Sequence, residues 1–203
     1  MKKNIDKFVE SIHHTVQIIG PMSLHQDPSP QIPTIIVDGG LCHKLSFKNS
    51  ITIGDGDSYV GQDVENLFDI ILNKDKDYSD LSFALSLLKD MNIENIYFHG
   101  FTNGRKDHEF INILEAHEYL NNKSNCQINI DKSVVIFSKG DYEIDYPGIF
   151  SVVALNRNEI DLRGELKYPY SGVLRERSSH GLSNESFGKI KVKCNQPLIL
   201  YKS

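Results

Sequence analysis

Four short apolar runs in the first half of the chain each end in a cluster of acids, glycines or other turn-forming polar residues. "TIIV" at 34–37 runs into "DGG", and "SITI" at 50–53 runs into "GDGDS". "LFDIIL" at 67–72 leads to "NKDKDYSD", and "NIYFHG" at 95–100 leads to "FTNGRKDH". Between and after the later runs lie segments of helical spacing. One is "LSFALSLLKDMN", which Ser79-Asp80 would cap, and the other is "EFINILEAHEYLNN". Short strands alternating with helices predict an open, mostly parallel α/β sheet. In such sheets ligands bind beyond the carboxyl ends of the strands, so the polar residues of all four ends are expected along one edge.

The texture changes near residue 124. "CQINI", "SVVIFSKG", "YEIDYPG", "IFSVVAL", "GELKYPY", "KIKVKC" and "PLILYKS" are strand-like pieces separated by turn residues, with no long helical period. They predict a smaller all-β domain of sandwich or barrel type. At the other end, Ile5, Phe8, Val9, Ile12, Val16 and Ile19 are spaced as on a helix. "GPMSLHQDPSPQIP", with four prolines in 14 residues, then reads as a linker. The expected organisation is an N-terminal helix and linker over 1–30, a Rossmann-like α/β nucleotide-binding domain over 31–124, and a β domain over 125–203.

With 22 Lys+Arg against 27 Asp+Glu, the net charge of -5 argues against general binding of nucleic-acid backbones. It leaves room for a nucleotide whose phosphates a metal ion bridges to carboxylates. Cys42, Cys126 and Cys194 form no CxxC pair and no disulfide framework, which fits a reducing compartment. The basic start soon meets Asp6 and Glu10 without an apolar secretory core. No apolar run is long enough to span a membrane. The expected location is the cytoplasm, with no membrane partner.

Asp55 and Asp57 flank a glycine just past a strand. Read alone, the pair fits a solvated acidic turn or a hard divalent cation. "DKDYSD" adds Asp75, Asp77 and Asp80, as a charged loop and helix cap or as further oxygen donors. "NGRKDH" sets Arg105, a planar donor fork, beside Asp107 and His108. That is either a local ion pair or a phosphate site. Taken together, converging carboxylates and an arginine match what phosphoryl chemistry requires: neutralised phosphates and a group to steady developing charge. The G-x-x-x-x-G-K-[ST] sequence is absent, which excludes a P-loop enzyme.

These motifs, in this order and spacing, resemble the thiamine pyrophosphokinase family. The β half adds "GIFSVVAL" at 148–155, similar to that family's G-x-x-x-S segment, "GELKYPY" at 164–170 and "GLSNE" at 181–185. The resemblance covers roughly residues 34 to 203. It implies transfer of pyrophosphate from ATP to the thiamine hydroxyl, giving thiamine diphosphate and AMP. It also implies a homodimer whose active sites lie between the α/β domain of one subunit and the β domain of the other. By the same resemblance Asp55, Asp57 and Asp80 would hold Mg²⁺, and Arg105 and Asp107 would sit at the nucleotide and reacting hydroxyl. Asp38, Gly39, Ser58, Lys76, Ser79, Asn103 and His108 would line the nucleotide side. Ser151, Ser183 and Asn184 would face the thiamine.

Several departures from the family pattern mark this chain, among them Ser79 in place of threonine and Asn103 in place of the first glycine of a pair. Lys76 stands where a glutamine is usual, Phe83 replaces a lysine, Gly56 replaces a larger residue, and no tryptophan is present to stack on thiamine. Two alternatives follow from them: a related pyrophosphokinase with a different acceptor, or a non-catalytic binder of thiamine or nucleotide.

Overall fold

Thr15–Ile19, "TVQII", departs most from the sequence-based picture. The helical spacing over 3–19 predicts one helix, but the helix α1 covers only Ile5–Glu10, and Thr15–Ile19 is the strand β1. Four of its five residues, Thr15, Val16, Ile18 and Ile19, are β-branched and favour the pleated backbone. Val16, Ile18 and Ile19 are fully buried, so the strand is covered on both faces, as parallel strands are. The computed structural model describes residues 5–57, 59 and 64–203, with the side chains of residues 64 and 65 excluded.

The chain is a mixed α/β fold dividing into two compact units, Met1–Glu115 and Ala116–Ser203. The first unit carries the parallel pairings. After β1 come β2 (Thr34–Val37), a 3-10 turn (Asp38–His43), β3 (Ser50–Gly54), α2 (Val64–Leu67) and β4 (Ile70–Ile71). Then follow α3 (Asp80–Leu87), β5 (Asn95–His99) and the start of α4 (Lys106–Leu120). β1 pairs with β2, β2 with β3 and β3 with β4, while β5 returns to the other side of β1. The strand order therefore reverses between β1 and β5. Ile35, Ile51, Ile53, Ile96 and Phe98 fill the sheet core, and Leu81, Ala84 and Leu85 are the buried face of α3.

The proline-rich segment after β1 is the crossover from β1 to β2. It is pinned by a buried polar side chain: Gln17 Nε2 donates to the Ser29 carbonyl at 2.6 Å and to Thr34 Oγ1 at 2.8 Å. Ser29 N donates back to Gln17 Oε1 at 3.2 Å. A buried amide satisfied at both ends fixes a loop that carries no regular element of its own.

The second unit is antiparallel. It contains β6 (Gln127–Ile130), β7 (Val134–Phe137), β8 (Gly140–Asp145), β9 (Gly148–Val153), β10 (Asn158–Leu166), β11 (Tyr170–Leu174), β12 (Asn184–Cys194) and β13 (Leu198–Lys202). The order runs β11-β10-β12-β9-β13-β7-β6, with β8 also paired to β12. The eleven-residue β12 serves two partners along one edge: Lys189–Cys194 pairs with β8, and Asn184–Ser186 pairs with β9. Phe137, Phe150, Val152, Ile160, Leu162, Ile190, Val192 and Leu200 build its core from alternate positions. Among the described residues antiparallel pairings outnumber parallel ones. The expected mostly parallel character therefore belongs to the first unit alone.

Candidate active site

The carboxyl ends of the first unit's strands converge on one cavity of about 440 Å³. It lies where the strand order reverses, the position that open α/β sheets use for ligands. β1 contributes Pro21 and Met22 just past its end, β2 contributes Asp38, and β3 contributes Asp55 and Asp57. The segment after β4 brings Lys76, Ser79 and Asp80, and β5 leads into Gly100 and Phe101. The N-terminal end of α4 adds Arg105, His108 and Asn112.

Local backbone chemistry explains why the chain can turn so sharply at these ends. Gly56, between the two carboxylates of "GDGDS", has φ of 73°, and Asp57 N donates to Asp55 Oδ1 at 3.1 Å. A left-handed turn of this kind favours glycine, which accounts for the small residue there. Gly100 has φ of 77°, and a Cβ on it would stand 2.6 Å from the Met22 carbonyl. This glycine lets the ends of β1 and β5 approach. Asn103 adopts φ of 63° in the turn before α4, the left-handed conformation that asparagine tolerates.

Asp38, Asp55 and Asp57 each present a carboxylate oxygen within 4.8 Å of the other two. Oxygen-only, multiply anionic donors at this spacing fit a hard divalent ion such as Mg²⁺. Asp80 lies outside that group. Lys76 Nζ reaches 2.6 Å from Asp55 Oδ2 and 3.0 Å from Asp80 Oδ1, with the lysine side chain only 8% exposed. The two carboxyls respond oppositely. Burial raises Asp55, but the Lys76 hydrogen bond and the Asp57 amide outweigh it, and its pKa falls below the ordinary value. Burial raises the Asp80 carboxyl, the more distant ammonium only partly offsets it, and Asp55 and Asp38 add to the rise, so its pKa lies above the ordinary value. Burial lowers Lys76, yet its two carboxylate partners more than offset this and hold it as an ammonium.

Ser79 is the N-cap of α3: its hydroxyl accepts from Ser82 N at 2.9 Å and donates to Glu115 Oε2 at 2.7 Å. The hydroxyl is thus engaged in holding α3, and Asp80 with it, against α4. Arg105 and Asp107 form an exposed pair at 2.6 Å. The hydrogen bond from the guanidinium, more than its charge, pulls the Asp107 carboxyl down to about 2. Arg105 lines the cavity, whereas Asp107, Asn103 and Gly39 do not. Gly39 lies in the 3-10 turn, where a Cβ would meet Pro21 Cβ at 2.8 Å. Ser58 falls outside the described residues. Phe83 stacks on Tyr78, with ring centroids 6.1 Å apart, so an apolar ring contact occupies the position of the lost lysine.

Ser151, Ser183 and Asn184 belong to the second unit. Ser183, at φ of 59°, donates its amide to Ser151 Oγ at 3.0 Å. The Asn184 amide serves the chain at both ends. Nδ2 donates to the Tyr168 carbonyl at 2.7 Å, and Oδ1 accepts from Tyr168 N at 3.1 Å and Glu185 N at 2.8 Å. Beside it lies an apolar and aromatic cavity of about 300 Å³, walled in part by Tyr168, Tyr170, His180 and Leu182. Tyr170 and His180 meet edge to face at 4.9 Å.

Sequence reasoning missed Pro21, Met22, Gly100, Phe101 and Asn112 as cavity residues. The first two were hidden by setting residues 1–30 apart. Yet "IIGP" repeats the plan of an apolar run closed by glycine, and that would have pointed to a fifth strand end.

Residues 30–130 match the family described as "Thiamin pyrophosphokinase, catalytic domain". No curated protein matches the sequence. In fold, the chain is similar to thiamine pyrophosphokinase from Bacillus subtilis, with TM-score 0.74, 24% identity, and 93% of this chain and 98% of that one covered. It is also similar to the Geobacillus thermodenitrificans thiamin pyrophosphokinase at TM-score 0.73 and 22% identity, covering 93% and 97% of the two chains. The Candida albicans thiamin pyrophosphokinase gives TM-score 0.66 at 15% identity, covering 96% and 90%. Through residues 30–130, with the strand-end carboxylates that lie within them, this chain belongs to the thiamin pyrophosphokinase family.

Proposed function

We propose that the protein is a thiamine pyrophosphokinase that transfers the terminal pyrophosphoryl group of ATP to the hydroxyl of thiamine. In this reaction the hydroxyl oxygen bonds to the β-phosphorus and the bond from that phosphorus to the α–β bridging oxygen breaks. AMP leaves, and the hydroxyl proton passes to a base. The observation that carries the reading is the cavity at the strand ends of the first unit, where Asp38, Asp55 and Asp57 converge and Arg105 shares the lining. The family match supports the acceptor.

Each residue has a role in this reading. Asp38, Asp55 and Asp57 hold Mg²⁺, which when bound neutralises phosphate charge and polarises the phosphoryl oxygens. Arg105 meets the phosphates with a planar donor fork, and its pairing with Asp107 restricts where that fork can point. Lys76 and Ser79 fix the loop bearing Asp80, and His108 closes the side formed by α4. In the second unit, Asn184 braces the backbone at Tyr168, while Ser151 and Ser183 shape the surface that receives thiamine. Tyr168, Tyr170 and His180 supply the ring surfaces that a chain without tryptophan must use.

A Rossmann-like first domain, a homodimer and a cytoplasmic setting complete the proposal. The dimer is supported by Ile149, Tyr168, Leu182 and Phe187, large apolar side chains that are each about half exposed or more on the second unit.

The test is incubation with ATP, Mg²⁺ and thiamine, followed by separation of products. AMP and thiamine diphosphate in equal amounts are expected. AMP without thiamine diphosphate would assign a different acceptor. Thiamine binding with no AMP would make the protein a non-catalytic binder.

A further inference from the structure

The Lys76 ammonium stands where the sequence pattern predicts a metal ion. Of the three carboxylates expected to share Mg²⁺, Asp55 and Asp80 are bridged by Nζ at 2.6 and 3.0 Å. The bridge is shielded, with the side chains of Asp55 and Asp80 themselves only 13% and 16% exposed. A long, mobile side chain is held there by two ion pairs, one of them to the residue four positions on.

Asp55 is the shared member of two groups. Its Oδ2 binds Lys76, and its Oδ1 accepts the Asp57 amide. It also belongs to the Asp38, Asp55 and Asp57 set whose oxygens lie within 4.8 Å of one another. A divalent ion in that set and the Lys76 ammonium would therefore share one carboxylate. Two cations on one carboxylate repel, and partial burial weakens the solvent screening between them. Asp80, taken up by Lys76, is withheld from the divalent ion.

We propose that Lys76 is a resident counter-cation that occupies the Asp55–Asp80 position, confines divalent metal to Asp38, Asp55 and Asp57, and lowers the affinity of that set. This rests on the functional reading above for the need for a divalent ion. A lysine acting only as a strap between two loops makes the opposite prediction. Cutting a strap loosens Asp55 and weakens metal binding, whereas removing a competing charge tightens it.

The experiment titrates Mn²⁺ into the nucleotide-free protein and follows free Mn²⁺ by its electron paramagnetic resonance signal. Lys76→Gln and Lys76→Met are compared with wild type; methionine keeps most of the stem volume and guards against a variant that fails to fold. Both variants are expected to bind Mn²⁺ at least about tenfold more tightly, the scale of a unit charge roughly 6 Å from a divalent ion even at the dielectric of water. Saturating Mn²⁺ should also raise their thermal midpoints by more than it raises that of wild type. Unchanged or weaker Mn²⁺ binding in both variants overturns the proposal. Product formation by wild type is scored separately. Thiamine diphosphate made by wild type without tighter Mn²⁺ binding in the variants rejects the counter-cation and keeps the function. Tighter binding with no thiamine diphosphate keeps the counter-cation and rejects the function.

Discussion

The two units solve opposite problems with the same kind of backbone. In the first, parallel strands are buried on both faces, and polar side chains within the sheet, such as Gln17 and Thr34, are engaged in holding the fold. Function is therefore delegated to the strand ends, where a charge-lined cavity of about 440 Å³ forms. In the second, antiparallel strands alternate between core and surface, and the cavity of about 300 Å³ is walled by strand and turn residues that are mostly apolar or aromatic. The first cavity holds itself together by paired charges, the second by packing and a backbone-bound amide. Substitutions should therefore separate chemistry from stability in the first unit and couple them in the second.

The largest expected effect lies in the second unit's core. Phe150 is fully buried among Val152, Ile190 and their neighbours, and Phe150→Ala should cost about 3–5 kcal/mol in urea unfolding. A loss under 1 kcal/mol would mean that this unit does not depend on its packed core. The counterpart in the first unit is Asp57→Asn. Turnover should fall on the order of 100-fold or more, because a carboxylate that would hold the phosphate-neutralising Mg²⁺ is lost. The unfolding midpoint should hold or rise, since one of three mutually repelling carboxylates is neutralised. An Asp57→Asn enzyme with full turnover would remove the metal assignment, and one that unfolds like Phe150→Ala would erase the contrast between the units.

Asn184 sits between these extremes and tests whether recognition and stability are joined in the second unit. Its amide makes three hydrogen bonds to the backbone at Tyr168 and Glu185. Asn184→Ala should lower stability by about 1–2 kcal/mol and raise the thiamine KM together, because the Tyr168 segment that walls the cavity is released. A rise in KM with unchanged unfolding would instead make Asn184 a direct ligand of thiamine, as the sequence pattern alone implies.

Much of the first unit's site was legible because glycines and acids at strand ends are local signals. "GDGDS" needs no partner to announce a left-handed turn with carboxylates around it. The position of β1 was not legible. Its apolar residues satisfy a helical period and a strand run at once, and only pairing with β2 and β5 decides between them. Lys76 was read as a departure from pattern. Its role depends on Asp55, 21 residues away, folding back onto it, and no local rule encodes that. The strand-rich character of the second half was legible from its turn spacing. β11 was missed, because "YSGVL" carries a glycine and one exposed apolar residue where a strand pattern would want alternation.

The smallest effect concerns the contact that joins α3 to α4 beside the first cavity. Glu115 accepts the Ser79 hydroxyl on both oxygens, at 2.8 and 2.7 Å. Burial raises its pKa above the ordinary 4.5, and the Ser79 hydrogen bond only partly offsets this. The folded state thus holds the Glu115 proton more firmly than the unfolded chain does. The stabilisation from this group is complete below 4.5 and is lost as pH rises through the raised folded value. Glu115→Gln keeps an acceptor for Ser79 and removes the titration, so its stability should vary less than wild type across the mildly acid range. Ser79→Ala takes away the donor that favours the charged carboxylate, pushes the Glu115 pKa further up and should steepen the same slope. Urea unfolding at several pH values measures both. Parallel wild-type and Glu115→Gln curves would show that this carboxylate is solvated as freely as one on the surface. The support beneath Asp80 would then have to come from the Lys76 bridge alone.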